Sequence, residues 1–319
     1  MIASRRNFLG MTAAAFVAPN LIGCTALGGF TPTQVQKPAF VLLHGAWHGA
    51  WAYAKVIPEL AARGHAAVAI DLPGHGLDAK FPQSYQQRPL DRATFSQERS
   101  PLAAVTLDEC VEHVVGVVDN LRAGGFTSVV LVGHSLSGVL VTRVGEMVPE
   151  KLSSLVYASA LMLPEGQTAG DVFALPQAAG SEVPELIMAN PGAVGASRID
   201  PASPDPIYRA RAKSAFYGDL SDSQFEAVAH LLTPDEPVAL AGVRTEKTVA
   251  RWGSLKRSYL MCTEDRTVPP ALQQLFIEQA DAYTPNNKTN VRKLKSSHSP
   301  FLSMPREFAI ALSDMASAS

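Results

Sequence analysis

Cysteine is nearly missing from this chain: Cys24, Cys110 and Cys262 are the whole supply in 319 residues. So few, so far apart, cannot build a disulfide framework, and no paired C-x-x-C exists to hold a structural zinc. Cys110 and Cys262 are expected to stay unpaired as small buried hydrophobes. An excess of charge is missing too. The 27 basic and 29 acidic residues leave a formal net charge of −2, so nothing invites nucleic acid or an anionic membrane surface. No internal repeat, low-complexity tract, P-loop or H-E-x-x-H motif occurs, which leaves no sequence grounds for a nucleotide cofactor or a metal. No cofactor is expected. What the chain does have is 47% apolar residues, enough for one substantial core and a smaller appended element.

The N-terminus reads as a targeting segment. Ser4-Arg5-Arg6-Asn7-Phe8-Leu9-Gly10 matches the twin-arginine export signal, and residues 11–22 form a short, weakly apolar stretch broken by Pro19 and Asn20. That stretch is too short to span a bilayer stably. It ends in Leu21-Ile22-Gly23-Cys24, which resembles a bacterial lipoprotein processing box. The expectation is a signal peptide over residues 1–23, an acylated Cys24 and a tether over 24–37. This places the protein in a bacterial cell envelope, in the periplasm and lipid-anchored. The twin-arginine machinery would be its export partner, and the N-terminal lipid its only link to a membrane.

From residue 38 onwards, apolar strand-like runs alternate with helical spacing. Residues 39–43, 66–70, 128–131, 152–158, 258–261 and 290–294 read as strands; 49–63, 107–121 and 305–315 read as helices. Val111, Val114, Val115 and Val118 fall on one helical stripe. Such alternation predicts a parallel sheet covered on both faces, with its site at the C-terminal ends of the strands. Two segments interrupt it. Residues 164–251 hold several helical pieces and nine prolines, and by position should cap the site, with Phe173, Leu175, Leu186, Ile187 and Met188 as an apolar ceiling. Residues 77–105 are long for a connection. They read equally well as a second lid or as a solvated excursion.

The most informative motif is Val132-Gly133-His134-Ser135-Leu136-Ser137-Gly138, directly after an apolar strand and opening a helix. A serine at the apex of a strand–turn–helix has its hydroxyl lifted clear of the sheet, with the helix N-terminus behind it. Gly133 supplies the small residue before the apex. Ser137 stands where the G-x-S-x-G pattern has its second glycine, and Gly138 comes one position later. His134, beside the serine, is expected to point away into the sheet and is given no chemistry.

In this arrangement the order along the chain is nucleophile, acid, histidine. Only His230 and His298 follow Ser135 as candidate bases. His230 lies in an amphipathic helical stretch and reads as structural, whereas His298 sits in a loop after the last strand. Asp265 follows the strand at 258–261 and is the candidate acid, with Glu264 as its competitor. An oxyanion needs donors. The N–H of Leu136, directly after the nucleophile, is one candidate, and that of Ala46, set by the turn at Gly45, is the other. The ring of Trp47 would wall the pocket. His44 and His48 lack a third ligand at metal spacing and read as structural, so no metal is assigned.

Phe40-Val41-Leu42-Leu43-His44-Gly45-Ala46-Trp47-His48-Gly49-Ala50-Trp51, Asp71-Leu72-Pro73-Gly74-His75-Gly76, Gly133-His134-Ser135-Leu136 and Cys262-Thr263-Glu264-Asp265 together resemble the α/β-hydrolase fold. Within it they are similar to the branch of plant methyl esterases, hydroxynitrile lyases and bacterial esterase relatives. The resemblance runs from about Pro38 to the C-terminus. It implies a mostly parallel central sheet flanked by helices, with a core over 38–163 and 252–319 and a helical cap over 164–251 inserted after the sixth strand. It also implies Ser135, Asp265 and His298 as a catalytic triad, with Ala46 and Leu136 as oxyanion donors. The lyases carry threonine where this chain has Gly45, and lysine where it has Ser299, so ester hydrolysis is favoured. The expected activity is hydrolysis of a small to medium hydrophobic or aromatic carboxylic ester through an acyl-enzyme. Two alternatives stay open on sequence: carbon–carbon, amide or acyl-transfer chemistry with the same residues, and a lipoprotein that binds a ligand on a hydrolase scaffold without turnover.

Overall fold

Every residue of Ala39–Leu43 (β1) is buried, because its side chains serve both faces of a sheet. Phe40 and Leu42 join one apolar cluster, and Val41 and Leu43 join the other, as the two-residue period of a strand dictates. In this computed structural model the described residues are 36–317. The twin-arginine motif, Cys24 and all of the tether before residue 36 lie outside them. Along the chain β1 is followed by Ala67–Ile70 (β2), Val129–His134 (β3) and Ser154–Ala158 (β4). Ala196–Arg198 (β5) and Asp235–Pro237 (β6) come next, then Lys256–Cys262 (β7) and Asn290–Leu294 (β8). Among the described residues, six strands form one parallel sheet in the order β2-β1-β3-β4-β7-β8.

Helices cover both faces. Leu107–Ala123, Gly138–Met147 and Pro270–Tyr283 pack their buried apolar residues into one cluster, while Val56–Ala61 and Pro305–Ser317 pack into the other. Helix Leu107–Ala123 starts at a capping box in which Thr106 and Glu109 satisfy each other's backbone N–H. The helical spacing at 49–63 resolves into two pieces, a 3-10 turn over Ala50–Tyr53 and the helix Val56–Ala61. Pro58 has no N–H to give the carbonyl of Ala54, so a continuous helix stops there.

The chain leaves the sheet after β4 and returns at β7. Counted along this chain, the insertion therefore follows the fourth strand of the sheet and not a sixth, since β1 is the first strand among the described residues. The insertion carries the helices Pro206–Tyr217 and Asp222–Ala229 and several shorter pieces. It also holds something that helical spacing did not announce, the antiparallel ribbon β5–β6. Three-residue strands reading Ala-Ser-Arg and Asp-Glu-Pro carry no hydrophobic alternation from which to read them.

Residues 77–105 clasp this insertion. The guanidinium of Arg198 donates to the carbonyls of Phe95 and Glu98 and lies over the Phe95 ring. Ser100 N–H reaches Val194 at 2.8 Å, and Arg88 pairs with Asp200 at 3.1 Å.

Candidate active site

Ser135 occupies the turn between β3 and helix Gly138–Met147 with φ of 55°. Left-handed backbone is strained for serine and is tolerated where the surroundings enforce it. Here the enforcement is close packing. A side chain at 133 would place its Cβ 2.4 Å from Val141 and 2.8 Å from the Ser137 carbonyl. Ser137, at the usual glycine position, uses its hydroxyl to donate to the His44 carbonyl, which ties the elbow to the loop after β1.

The loops after β7 and β8 bring Asp265 and His298 together. His298 Nδ1–H donates to Asp265 Oδ2 at 2.8 Å, both side chains being almost wholly buried. That fixes the tautomer with Nε2 free to accept a proton. Asp265 is held by three further donors: the N–H groups of Thr267 at 2.7 Å and Val268 at 2.9 Å on Oδ1, and Gln273 Nε2 at 3.2 Å on Oδ2. Glu264, the competing carboxylate, turns outward and lies 3.7 Å from Lys295. His230 is exposed at the end of the helix Asp222–Ala229.

His134 does not point away from the site. Its Nε2–H donates to the His298 carbonyl at 2.9 Å, and the two rings lie 4.4 Å apart. The loop after β1 lies against this ring so closely that a Cβ on Gly45 would be 2.6 Å from His134 Nδ1. Burial, reinforced by the neighbouring His298 and His48, holds His134 well below the usual histidine range, so it is neutral.

His44 and His48 are each satisfied within the protein. His44 donates from Nδ1 to the Gly45 carbonyl and accepts the Leu72 N–H at Nε2, at 2.9 and 3.0 Å. His48 donates to the Ala46 carbonyl and accepts from the Tyr217 hydroxyl, both at 2.7 Å. Burial pushes His44 well below its ordinary value and His48 down to about 4. Among the described residues no group of histidines, cysteines and carboxylates could hold a metal ion.

Ala46, Trp47, Ser135 and Leu136 line one apolar cavity of about 570 Å³. Its ceiling uses Phe173 and Ile187 of the residues expected there, together with Val183, Pro184 and Val238. Leu175, Leu186 and Met188 instead pack into the two apolar clusters. Residues 77–105 contribute nothing to the lining. Trp47 has φ of 63°, held from three sides. Its N–H is taken by Glu236 Oε2 at 3.0 Å, its indole N–H by the Ser197 carbonyl at 2.9 Å, and its own carbonyl by the Thr233 N–H at 2.9 Å. Glu236 also faces His75 Nε2 at 2.9 Å. Burial alone would lower His75, but Glu236 beside it outweighs that and raises it. The carboxylate beside it thus favours the charged imidazole.

Sequence reasoning missed Gln273, Asp219, Glu236 and His75. Gln273 holds both Asp265 and the strand end at Cys262. Asp219 accepts from the N–H and hydroxyl of Ser297, anchoring the loop of His298. Burial would raise Asp219, and these hydrogen bonds hold it low. Only His75 carried a signal, standing in the Asp71–Gly76 motif.

Residues 40–311 match the model of the alpha/beta hydrolase family. A putative chloroplastic methylesterase 14 of Arabidopsis thaliana is 26% identical over 288 residues, covering 90% of this chain and 74% of that protein. Polyneuridine aldehyde esterase of Rauvolfia serpentina is 28% identical over 295 residues, covering 88% of this chain and 96% of that protein. The solved structure of a pyrethroid hydrolase from Sphingobium faniae superposes with a TM-score of 0.66 at 23% identity, over 88% of this chain and 98% of that one.

Proposed function

The chain belongs to the alpha/beta hydrolase family, and we propose that it is a serine hydrolase of small to medium hydrophobic or aromatic carboxylic esters. One observation carries this reading. A histidine with its tautomer set by a buried aspartate, His298 on Asp265 at 2.8 Å, is tied through its own carbonyl to the residue preceding a serine in left-handed backbone. Ser135 Oγ attacks the ester carbonyl as His298 Nε2 takes its proton, and Asp265 stabilises the imidazolium. The N–H groups of Ala46 and Leu136 receive the oxyanion. The alcohol leaves with the proton from His298, and water activated by the same histidine releases the acid from Ser135.

The relatives named as esterases support ester chemistry over the alternatives. So does Gly45. A Cβ at that position would lie 2.8 Å from the Ser135 Cβ, so the threonine expected of a hydroxynitrile lyase does not fit here. The apolar lining favours a hydrophobic small molecule over a polar polymer.

We also propose export to a bacterial cell envelope by the twin-arginine route, with acylation at Cys24, on the strength of Arg5-Arg6 and the Leu21–Cys24 box. Replacement of Arg5 and Arg6 by lysine should leave the protein in the cytoplasm. The catalytic reading is tested with a fluorophosphonate probe and peptide mapping. One adduct on Ser135, abolished by prior acid denaturation, is the expected result. A folded protein that takes up no probe would contradict it.

A further inference from the structure

Successive side chains of a strand point to opposite faces, and residues directly opposite in a ribbon share one. In β5–β6, Arg198 faces Asp235 and the adjoining pair is Ser197 with Glu236. The first pair turns into the protein. Arg198 and Asp235 are wholly buried and joined by two hydrogen bonds of 2.7 Å. The second pair, on the other face, lines the cavity that contains Ser135.

Glu236 is the single charged residue in that lining and is only 3% exposed. Its Oε2 is committed to Trp47 N–H and to His75. No hydrogen bond among the described residues ends on its Oε1, and that oxygen is not one of their wholly buried unpartnered atoms, so it is accessible. The Ser197 hydroxyl beside it likewise has no partner among them; only the Ser197 carbonyl is used, by the Trp47 indole. A carboxylate oxygen open to an otherwise apolar cavity, with no protein donor on it, marks a place where a ligand can supply one.

Resting on the esterase reading above, we propose that Glu236 and Ser197 form a docking point for a hydroxyl group on an otherwise apolar ester. The hydroxyl donates to Glu236 Oε1 and accepts from the Ser197 hydroxyl, which suits a group that is both donor and acceptor. An ammonium group suits the point less well. It cannot accept from Ser197, and with the His75 ring already 2.9 Å from Glu236 Oε2, a cation buried among apolar walls would be poorly repaid.

The test is kcat/KM of the full-length protein on matched p-nitrophenyl esters. The acyl pairs are meta- and para-(hydroxymethyl)phenylacetate against their ethyl isosteres, and ω-hydroxyhexanoate against heptanoate, with aminomethyl counterparts included. At least one hydroxyl ester should exceed its isostere by about tenfold. In Glu236→Gln, whose amide keeps an acceptor for Trp47 and turns a donor to the cavity, that ratio should fall to about one. Ser197→Ala should reduce it in part. The wild-type ratios need no variant to fold. Hydrolysis of every ester with no hydroxyl preference would overturn the docking point and leave the esterase reading standing. Preference for the aminomethyl ester would overturn the choice of hydroxyl. No hydrolysis at all, with Ser135 unlabelled by fluorophosphonate, would overturn the esterase reading itself.

Discussion

His134 donates its Nε2–H to the main-chain carbonyl of His298 at 2.9 Å, so the residue beside Ser135 fixes the loop that carries His298. Its own ring is neutral and buried, which makes it a positioning residue and not a proton carrier. In His134→Phe the ring volume is kept and the donor is lost. A displacement of His298 by about 1 Å would cost up to about 100-fold in rate. The expected result is a kcat reduced by about 10- to 100-fold with KM within about twofold, read from steady-state ester hydrolysis alongside thermal unfolding. A KM effect with kcat intact would show that His134 serves the pocket instead.

The ion pair Arg198–Asp235 anchors the ribbon that holds Trp47 and Glu236. Removing one partner leaves an uncompensated buried charge, which costs about 3–5 kcal/mol. Asp235→Ala should therefore lower the urea midpoint strongly, and the double variant Arg198→Met with Asp235→Leu should recover much of it. Equal loss in both would mean that the carbonyl bonds of Arg198 to Phe95 and Glu98 matter more than the pair.

Three buried histidines make the fold acid-sensitive. His44 and His134 are held well below 6.5, and His48 is lowered to about 4, in each case mainly by burial. Below about pH 6.5 the unfolded chain takes up protons that the folded chain refuses, so stability is present above that value and falls as pH drops towards 4. His48→Gln should flatten the slope by about 1.4 kcal/mol per pH unit in that window. His75 has the opposite sign. Its pKa is raised by Glu236, so its contribution is complete below 6.5 and is lost as pH rises through the folded value. Thermal midpoints of His48→Gln and His75→Gln across pH 4–9 should diverge accordingly.

The parallel sheet and the elbow were legible because both are local. Val129 to Leu131 is an unbroken apolar run, and the small residues around Ser135 announce the tight turn before the helix. The pairing of His298 with Asp265 was readable from chain order, each lying just past a strand. What stayed hidden depends on long-range contacts between segments with no periodic signal. Glu236 and Ser197 come opposite each other only because two three-residue strands pair. Gln273 looks in sequence like any polar residue of an amphipathic helix, yet it is wholly buried on the strand end at Cys262. His134 was misread because the sheet interior seemed its natural direction, while the closeness of Gly45 could not be seen from sequence.

The most direct measurement is hydrolysis of p-nitrophenyl esters of increasing acyl length by the wild type and by Ser135→Ala. Turnover of short or aromatic esters, lost by at least about 10³-fold in a Ser135→Ala protein with unchanged thermal midpoint, is the predicted result. Ester hydrolysis that persists in Ser135→Ala, or a folded wild type inert towards every ester, would contradict the account.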